Sequence, residues 1–299
     1  MKKEVDVLVV GGGPAGMISA ITAKRYYPKK NILLIKNVSK GCIPCGIPYM
    51  FASLKNPEEN SLGNAPLEKN GIAVNIDEAI SIDRQQKTVI TKKGFSYHYE
   101  KLILAVGSSP IMPPIPGIDL PGVYPIFKDI DYLKEVIAKT HAAKNVLVLG
   151  GGFIGVEFAD ELSKIENLNV YLVEALPRLL MTSFDSEFSS LVQEKLESQG
   201  VHVLTDTKVE EFLGKDHVEK VILSNGEAID TENVILGIGS TANSRLASNS
   251  RLDLSRTQCI WVDEYMRTVD PDIFAVGDCA SKTDFYTRKP SPVMLASTA

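Results

Sequence analysis

The stretch Val5-Asp6-Val7-Leu8-Val9-Val10-Gly11-Gly12-Gly13-Pro14-Ala15-Gly16 decides the fold. Its apolar, β-branched first half predicts a buried strand. The small-residue segment that follows, stopped by Pro28, predicts a helix with Pro14 in its first turn, and Ile32 to Ile35 predicts the next strand. Between them the spacing Gly11-x-Gly13-x-x-Gly16 permits a tight turn, across which backbone N–H groups at a helix N-terminus can meet a pyrophosphate. The unit returns at Asn145-Val146-Leu147-Val148-Leu149, followed by Gly150-x-Gly152-x-x-Gly155, an apolar helix and the strand Val170 to Val173. A strand, glycine turn, helix and strand that occur twice predict parallel α/β layers and two bound dinucleotides.

The second unit ends on Glu174, a carboxylate able to accept hydrogen bonds from a ribose and to repel a 2′-phosphate. The first ends on Lys36, where two readings stand: a solvated strand end, or a cation that attracts an extra phosphate.

The chain has 299 residues, 44% of them hydrophobic and 23% charged, which suggests two globular domains rather than disorder. A formal charge of −5 with no long basic run argues against nucleic acid as a partner. Four cysteines are too few for a disulfide scaffold. Lys2 and Lys3 precede an apolar run, but its glycines break it, so neither a secretory signal nor a membrane span is expected. These features lead us to expect a cytoplasmic protein with no membrane association.

Lys87 to Ile90 and Tyr97 to Leu104 read as strands. Ser109 to Pro125 then carries six prolines and two glycines and reads as a connector, as does Gly239 to Ser250. Apolar character returns at Ile273-Phe274-Ala275-Val276. The expectation is a discontinuous first domain, 1–112 and 245–299, with 113–244 inserted.

With these residues together, the sequence resembles the FAD-dependent pyridine nucleotide–disulfide oxidoreductases. Thr268-x5-Phe274-Ala275-Val276-Gly277-Asp278 is similar to their late FAD motif, Leu102 to Ser108 to the turn between domains, and Gly152-Phe153-Ile154-Gly155-x-Glu157 to the nicotinamide-side helix. The resemblance implies two Rossmann-like domains of glutathione reductase type, the NAD domain inserted into the FAD domain. It implies FAD contacts at Gly11, Gly13, Pro14, Ala15, Gly16, Lys36, Ala105, Gly107, Gly277 and Asp278, the last toward the flavin ribitol. It implies NAD contacts at Gly150, Gly152, Phe153, Ile154, Gly155, Glu157, Glu174 and Gly239. The charge of Glu174 leads us to expect NADH, while Arg178, able to meet a 2′-phosphate, leaves NADPH possible.

Cys45-Gly46-Ile47-Pro48-Tyr49 resembles the single-cysteine branch, which includes coenzyme A-disulfide reductases, NADH oxidases and peroxidases, and persulfide or polysulfide reductases. The resemblance makes Cys45 the redox cysteine, opening a helix whose N-terminal dipole favours a thiolate. Cys42 adds a Cys-x-x-Cys and reads as a resolving thiol, half of a metal site, or a passive neighbour. No second Cys/His pair lies near it in sequence, so no metal is expected. Cys259 and Cys279 read as core residues. The implied acceptor is a small-molecule disulfide, persulfide or polysulfide, with dioxygen or a small electron-transfer protein as alternatives. Pro292 to Ala299 resembles the helix that leads into a C-terminal dimerisation domain in this family. We therefore expect a chain without that domain, a monomer or weak dimer, cut from a homodimeric parent.

Overall fold

A computed structural model describes residues 2–284, 286, 287 and 289. It divides into two compact units, one of Met1–Ile43, Ser61–Ser109 and Thr241–Ala299, the other of Pro44–Asn60 and Pro110–Ser240. Residues 44–60 thus group with the second unit.

In the first unit, β1 (Lys2–Val10) leads through the glycine turn into α1 (Pro14–Tyr26) and back to β2 (Ile32–Lys36). The two strands pair in parallel, Val7 beside Ile32 and Val10 beside Ile35. Ala73–Ile76 extends the sheet beyond β2, and Ser96–Leu104 flanks β1 on the other side. That long strand has two partners on its far edge. Its start pairs antiparallel with Thr88–Thr91, while Leu102, Ile103 and Leu104 pair in parallel with Ile273, Phe274 and Ala275. The chain therefore returns to this sheet after the second unit is made.

Alternation along the strands sends Leu8, Val10, Leu33 and Ile35 to one face, where they pack with Leu102, Leu104, Ile273 and Ala275. Val9 and Leu34 face the other way, onto Met17 and Ala20 of α1. Both faces are covered, which is why these strands read as continuous apolar runs.

The second unit carries a five-stranded parallel sheet in the order Val123–Pro125, Asn233–Leu236, Asn145–Leu149, Asn169–Val173, His202–Leu204. Helix Phe153–Leu162 follows its central strand. Helix Ile130–Ala142 starts at Asp129, whose carboxylate accepts from the Asp131 and Tyr132 N–H groups. A three-stranded antiparallel sheet, Val209–Leu213 to Ala228–Asp230, completes the unit. Each unit is thus Rossmann-like, an α/β layer on a parallel sheet, and each presents its glycine turn at the carboxyl end of its strands, where such folds bind ligands.

Candidate functional site

The two glycine turns close in the same way. Gly11 N–H donates to the Ile35 carbonyl at 2.8 Å, and Gly150 N–H donates to the Val173 carbonyl at 2.8 Å. Gly11 has φ +119°, and a Cβ there would lie 2.0 Å from the Ala105 carbonyl oxygen, so only glycine lets the turn sit against the end of Ser96–Leu104. Gly16 packs on the Gly11 carbonyl, and Gly155 does the same on Gly150. By contrast, Cβ atoms at Gly13 and Gly152 would meet nothing within 4 Å. These two residues cap α1 and Phe153–Leu162 without a side-chain hydrogen bond, which leaves first-turn N–H groups for an anion. Pro14 fixes the first turn of α1, with Ala15 beside it.

A pocket of about 530 Å³ in the first unit is lined by Gly11, Lys36, Asp77, Val106, Asn243 and Arg245, among others. Asn243 fastens its wall, its amide donating to the Val106 carbonyl at 2.9 Å while its backbone N–H donates to the Gly107 carbonyl. Lys36 is not the solvated strand end that one reading expected: it is 3% exposed. It ends the inner strand β2 and lies across the glycine turn, which keeps it from water.

Asp278 stands on the short turn Gly277–Cys279 that follows strand Ile273–Ala275. Gly277 sets this turn against Ala15 of α1, a Cβ there lying 2.8 Å from that of Ala15. Ser108, which sequence reasoning quoted but did not single out, donates to Asp278 Oδ2 at 2.8 Å. Open turn, pocket and a held carboxylate fit an FAD, whose phosphates, adenosine and polyol need such partners. Cys279 next to it is fully buried, and burial pushes its thiol up to about 11. Cys259 is buried too, as expected.

In the second unit, Glu174 accepts from Gly151 N–H and from Leu176 N–H at 2.7 Å, so its carboxylate is fixed beside the turn. Gly152 and Glu174 fit the phosphate and ribose of a pyridine nucleotide. Gly237, which sequence reasoning missed, approaches Gly155 Cα so closely that a Cβ would sit 3.0 Å away. The spacing Gly237-x-Gly239 after an apolar strand was its signal. Gly239 has φ +103°.

Phe153 and Ile154 are exposed on the first turn of their helix. Partial burial holds the Glu157 carboxyl above its ordinary value while its edge stays open to solvent. Glu157 lines a cavity of about 440 Å³ together with Tyr49, Val156, Phe188 and Leu191.

The helix expected from Cys45 is instead two short 3₁₀ turns, Pro44–Gly46 and Pro48–Phe51, because Pro44, Gly46 and Pro48 cannot sustain α-helix. The dipole argument for Cys45 therefore has no helix behind it. Packing positions the segment instead. Phe51 meets Phe158 edge-on at 5.0 Å, Ser53 N–H donates to Glu161 at 3.0 Å, and His141 Nε2 lies 2.7 Å from the Phe51 carbonyl. Gly46 abuts Asn60, whose Oδ1 a Cβ would meet at 2.0 Å. Cys45 is exposed on this anchored segment, whereas Cys42 is buried in the strand Gly41–Cys42. None of the four cysteines is in a disulfide. Among the described residues no cluster of three or more His, Cys, Asp or Glu side chains could hold a metal ion.

Two Rossmann-like units, each with an open glycine turn, define an α/β protein built for two dinucleotides. Residues 5–299 match the model of the pyridine nucleotide-disulphide oxidoreductases, and the chain belongs to that family. It is 31% identical to an NADH oxidase of Methanocaldococcus jannaschii over 94% of this chain and 64% of the relative. It is 33% identical to a CoA-dependent NAD(P)H sulfur oxidoreductase of Pyrococcus abyssi, over 99% of this chain and 67% of that one. A NAD-dependent persulfide reductase from A. fulgidus superposes with a TM-score of 0.91 at 30% identity, covering 100% of this chain and 57% of that one. The chain thus spans about three-fifths to two-thirds of the length of these three proteins.

Proposed function

We propose that the first unit binds FAD, that the second binds NAD(P)H, and that Cys45 carries electrons to a disulfide or sulfane-sulfur substrate. The observation that carries this reading is the contrast among the cysteines: Cys45 is exposed on a fastened turn, while Cys42, Cys259 and Cys279 are buried. Bound FAD would supply the two-electron relay between nicotinamide and sulfur. Gly11, Gly13, Gly16, Lys36, Ala105, Gly107 and Asp278 would hold it. Gly150, Gly152, Gly155, Glu174 and Gly239 would hold the pyridine nucleotide, and Phe153 and Glu157 would shape the nicotinamide end.

The Cys45 thiolate attacks one sulfur of the substrate, forming a mixed disulfide and releasing the other sulfur as a thiolate. A hydride equivalent from NAD(P)H, two electrons and a proton, then restores the Cys45 thiolate and releases the second thiol. Buried Cys42 acts as a passive neighbour. Four cysteines without a disulfide fit a reducing, cytoplasmic setting, and among the described residues no helix is long and apolar enough to cross a membrane.

Anaerobic titration with NADH tests this. Uptake beyond the flavin's own equivalent, with a long-wavelength thiolate-to-flavin band that Cys45→Ser abolishes, is expected. Bleaching with one equivalent and no band would overturn the role of Cys45. The likeness to the M. jannaschii NADH oxidase supports a second reading, with dioxygen as acceptor; rapid oxygen uptake that survives Cys45→Ser would favour it.

A further inference from the structure

Lys36 and Glu174 hold the same place in the two units. A Cβ on Gly151 would fall 2.9 Å from Glu174 Cβ, and a Cβ on Gly12 would fall 2.8 Å from Lys36 Cβ and 2.4 Å from its Cδ. Each side chain leaves the end of its strand and runs over the middle glycine of its turn. There the likeness stops. Glu174 accepts from two backbone N–H groups. Lys36 is 97% buried by residue area and lines the first unit's pocket, and among the described residues its ammonium has no hydrogen bond or ion pair.

Among the described residues neither carboxylate of the pocket forms an ion pair with it, although Asp77 Oδ2 is buried without a hydrogen-bond partner. Asp77 Oδ1 accepts from the Glu78 and Lys93 N–H groups, and Glu78 pairs with Lys92. Arg245 adds a second cation to the lining. An ammonium has three donors and no acceptor, so it cannot take the hydrogens of ribose hydroxyls as a carboxylate does. Beside it the glycine turn adds backbone N–H donors at the start of α1. Burial already pushes the Lys36 ammonium down, a cost that an anion in the pocket would relieve.

We propose that Lys36 binds a phosphate group on the adenosine half of the dinucleotide in the first unit, so that this pocket recognises its ligand by phosphate charge rather than by ribose hydroxyls. On the FAD reading that phosphate belongs to the dinucleotide's own pyrophosphate; an additional phosphate on the ribose, which FAD lacks, is the competing outcome of the test. The proposal rests on the FAD reading of this unit.

The test is equilibrium titration of the full chain, freed of bound nucleotide, with adenosine, ADP, adenosine 2′,5′-bisphosphate and FAD. The expected result is ADP binding at least about tenfold tighter than adenosine, with that ratio lost in Lys36→Met and kept in Lys36→Arg. Affinity should also fall with salt more steeply in the wild type than in Lys36→Met. Dependence on Lys36 for ADP identifies the pyrophosphate; dependence for the bisphosphate alone identifies a ribose phosphate. An unchanged ADP-to-adenosine ratio in a folded Lys36→Met, or tighter FAD binding in Lys36→Glu, overturns the inference while FAD binding itself stands. Failure of the wild type to take up FAD, with Lys36-dependent ADP binding intact, overturns the FAD reading alone.

Discussion

The Ser108 hydroxyl donates a 2.8 Å hydrogen bond to Asp278 Oδ2, joining the first residue of the short strand Ser108–Pro110 to the turn after Ile273–Ala275, 170 positions away in the chain. The bond fixes one carboxylate oxygen and leaves the turn's orientation defined before any ligand arrives. Ser108→Ala should raise the FAD dissociation constant about fivefold, the worth of roughly 1 kcal/mol for one hydrogen bond. Asp278→Ala should raise it further. Fluorescence quenching of FAD measures both, and wild-type affinity in Asp278→Ala would remove this residue from the cofactor site.

Gly46 and Asn60 predict a steric pair. Gly46→Ala should lower stability by about 1–3 kcal/mol, the usual cost of overpacking, because its methyl would enter the space of a side chain only 4% exposed. Asn60→Ala in the same chain should recover part of that loss. Thermal unfolding of the single and double variants reads the coupling; strictly additive losses would show that the clash is relieved elsewhere.

Glu174 predicts nucleotide choice. With its carboxylate fixed by Gly151 and Leu176 N–H groups, a 2′-phosphate would meet a negative charge that cannot swing away. Glu174→Ala should lower the NADH-to-NADPH ratio of kcat/KM at least about tenfold, or 1.4 kcal/mol. A ratio near one in the wild type would place the discrimination in other residues.

Cys279 predicts a pH dependence. Its thiol is raised to about 11 from an ordinary value of 9.0 by burial, so the folded state retains a proton that the unfolded chain gives up. Stability from this residue is therefore complete below pH 9 and declines as pH rises from there toward 11. Cys279→Ala should flatten the alkaline side of the stability profile measured by denaturant unfolding. Iodoacetamide at pH 8 should modify Cys45 while leaving Cys279 intact until the protein unfolds.

Much of this architecture is legible in the sequence because it is local. Asn145–Leu149 is bounded as its apolar run suggests, and both glycine turns lie between the strand and helix expected of them. What the sequence hides depends on distant partners. Nothing around Ser108 names Asp278. Lys36 reads as polar, yet β2 lies between two other strands and its end is covered by the turn. The Cys45 segment looked helical by analogy, but Pro44, Gly46 and Pro48 override that. Its anchoring on Phe158 and Glu161 follows from packing more than a hundred positions away, as the Ser53 to Glu161 bond shows.

The return of Ile273–Ala275 to the strand Ser96–Leu104 has a consequence for how the protein is born. A nascent chain is made N-terminus first, and all of Pro44–Asn60 and Pro110–Ser240 has been synthesised before that strand. The later-encoded unit can therefore finish folding first, while the earlier one waits with an open sheet edge beside Leu102 to Leu104. Asp278 follows that strand by three residues, so it too is made after the second unit. Closure of the first unit thus waits until Ile273–Ala275 has been made, and a chain cut short before Ile273 would carry one complete unit and one whose sheet edge beside Leu102 to Leu104 stays open.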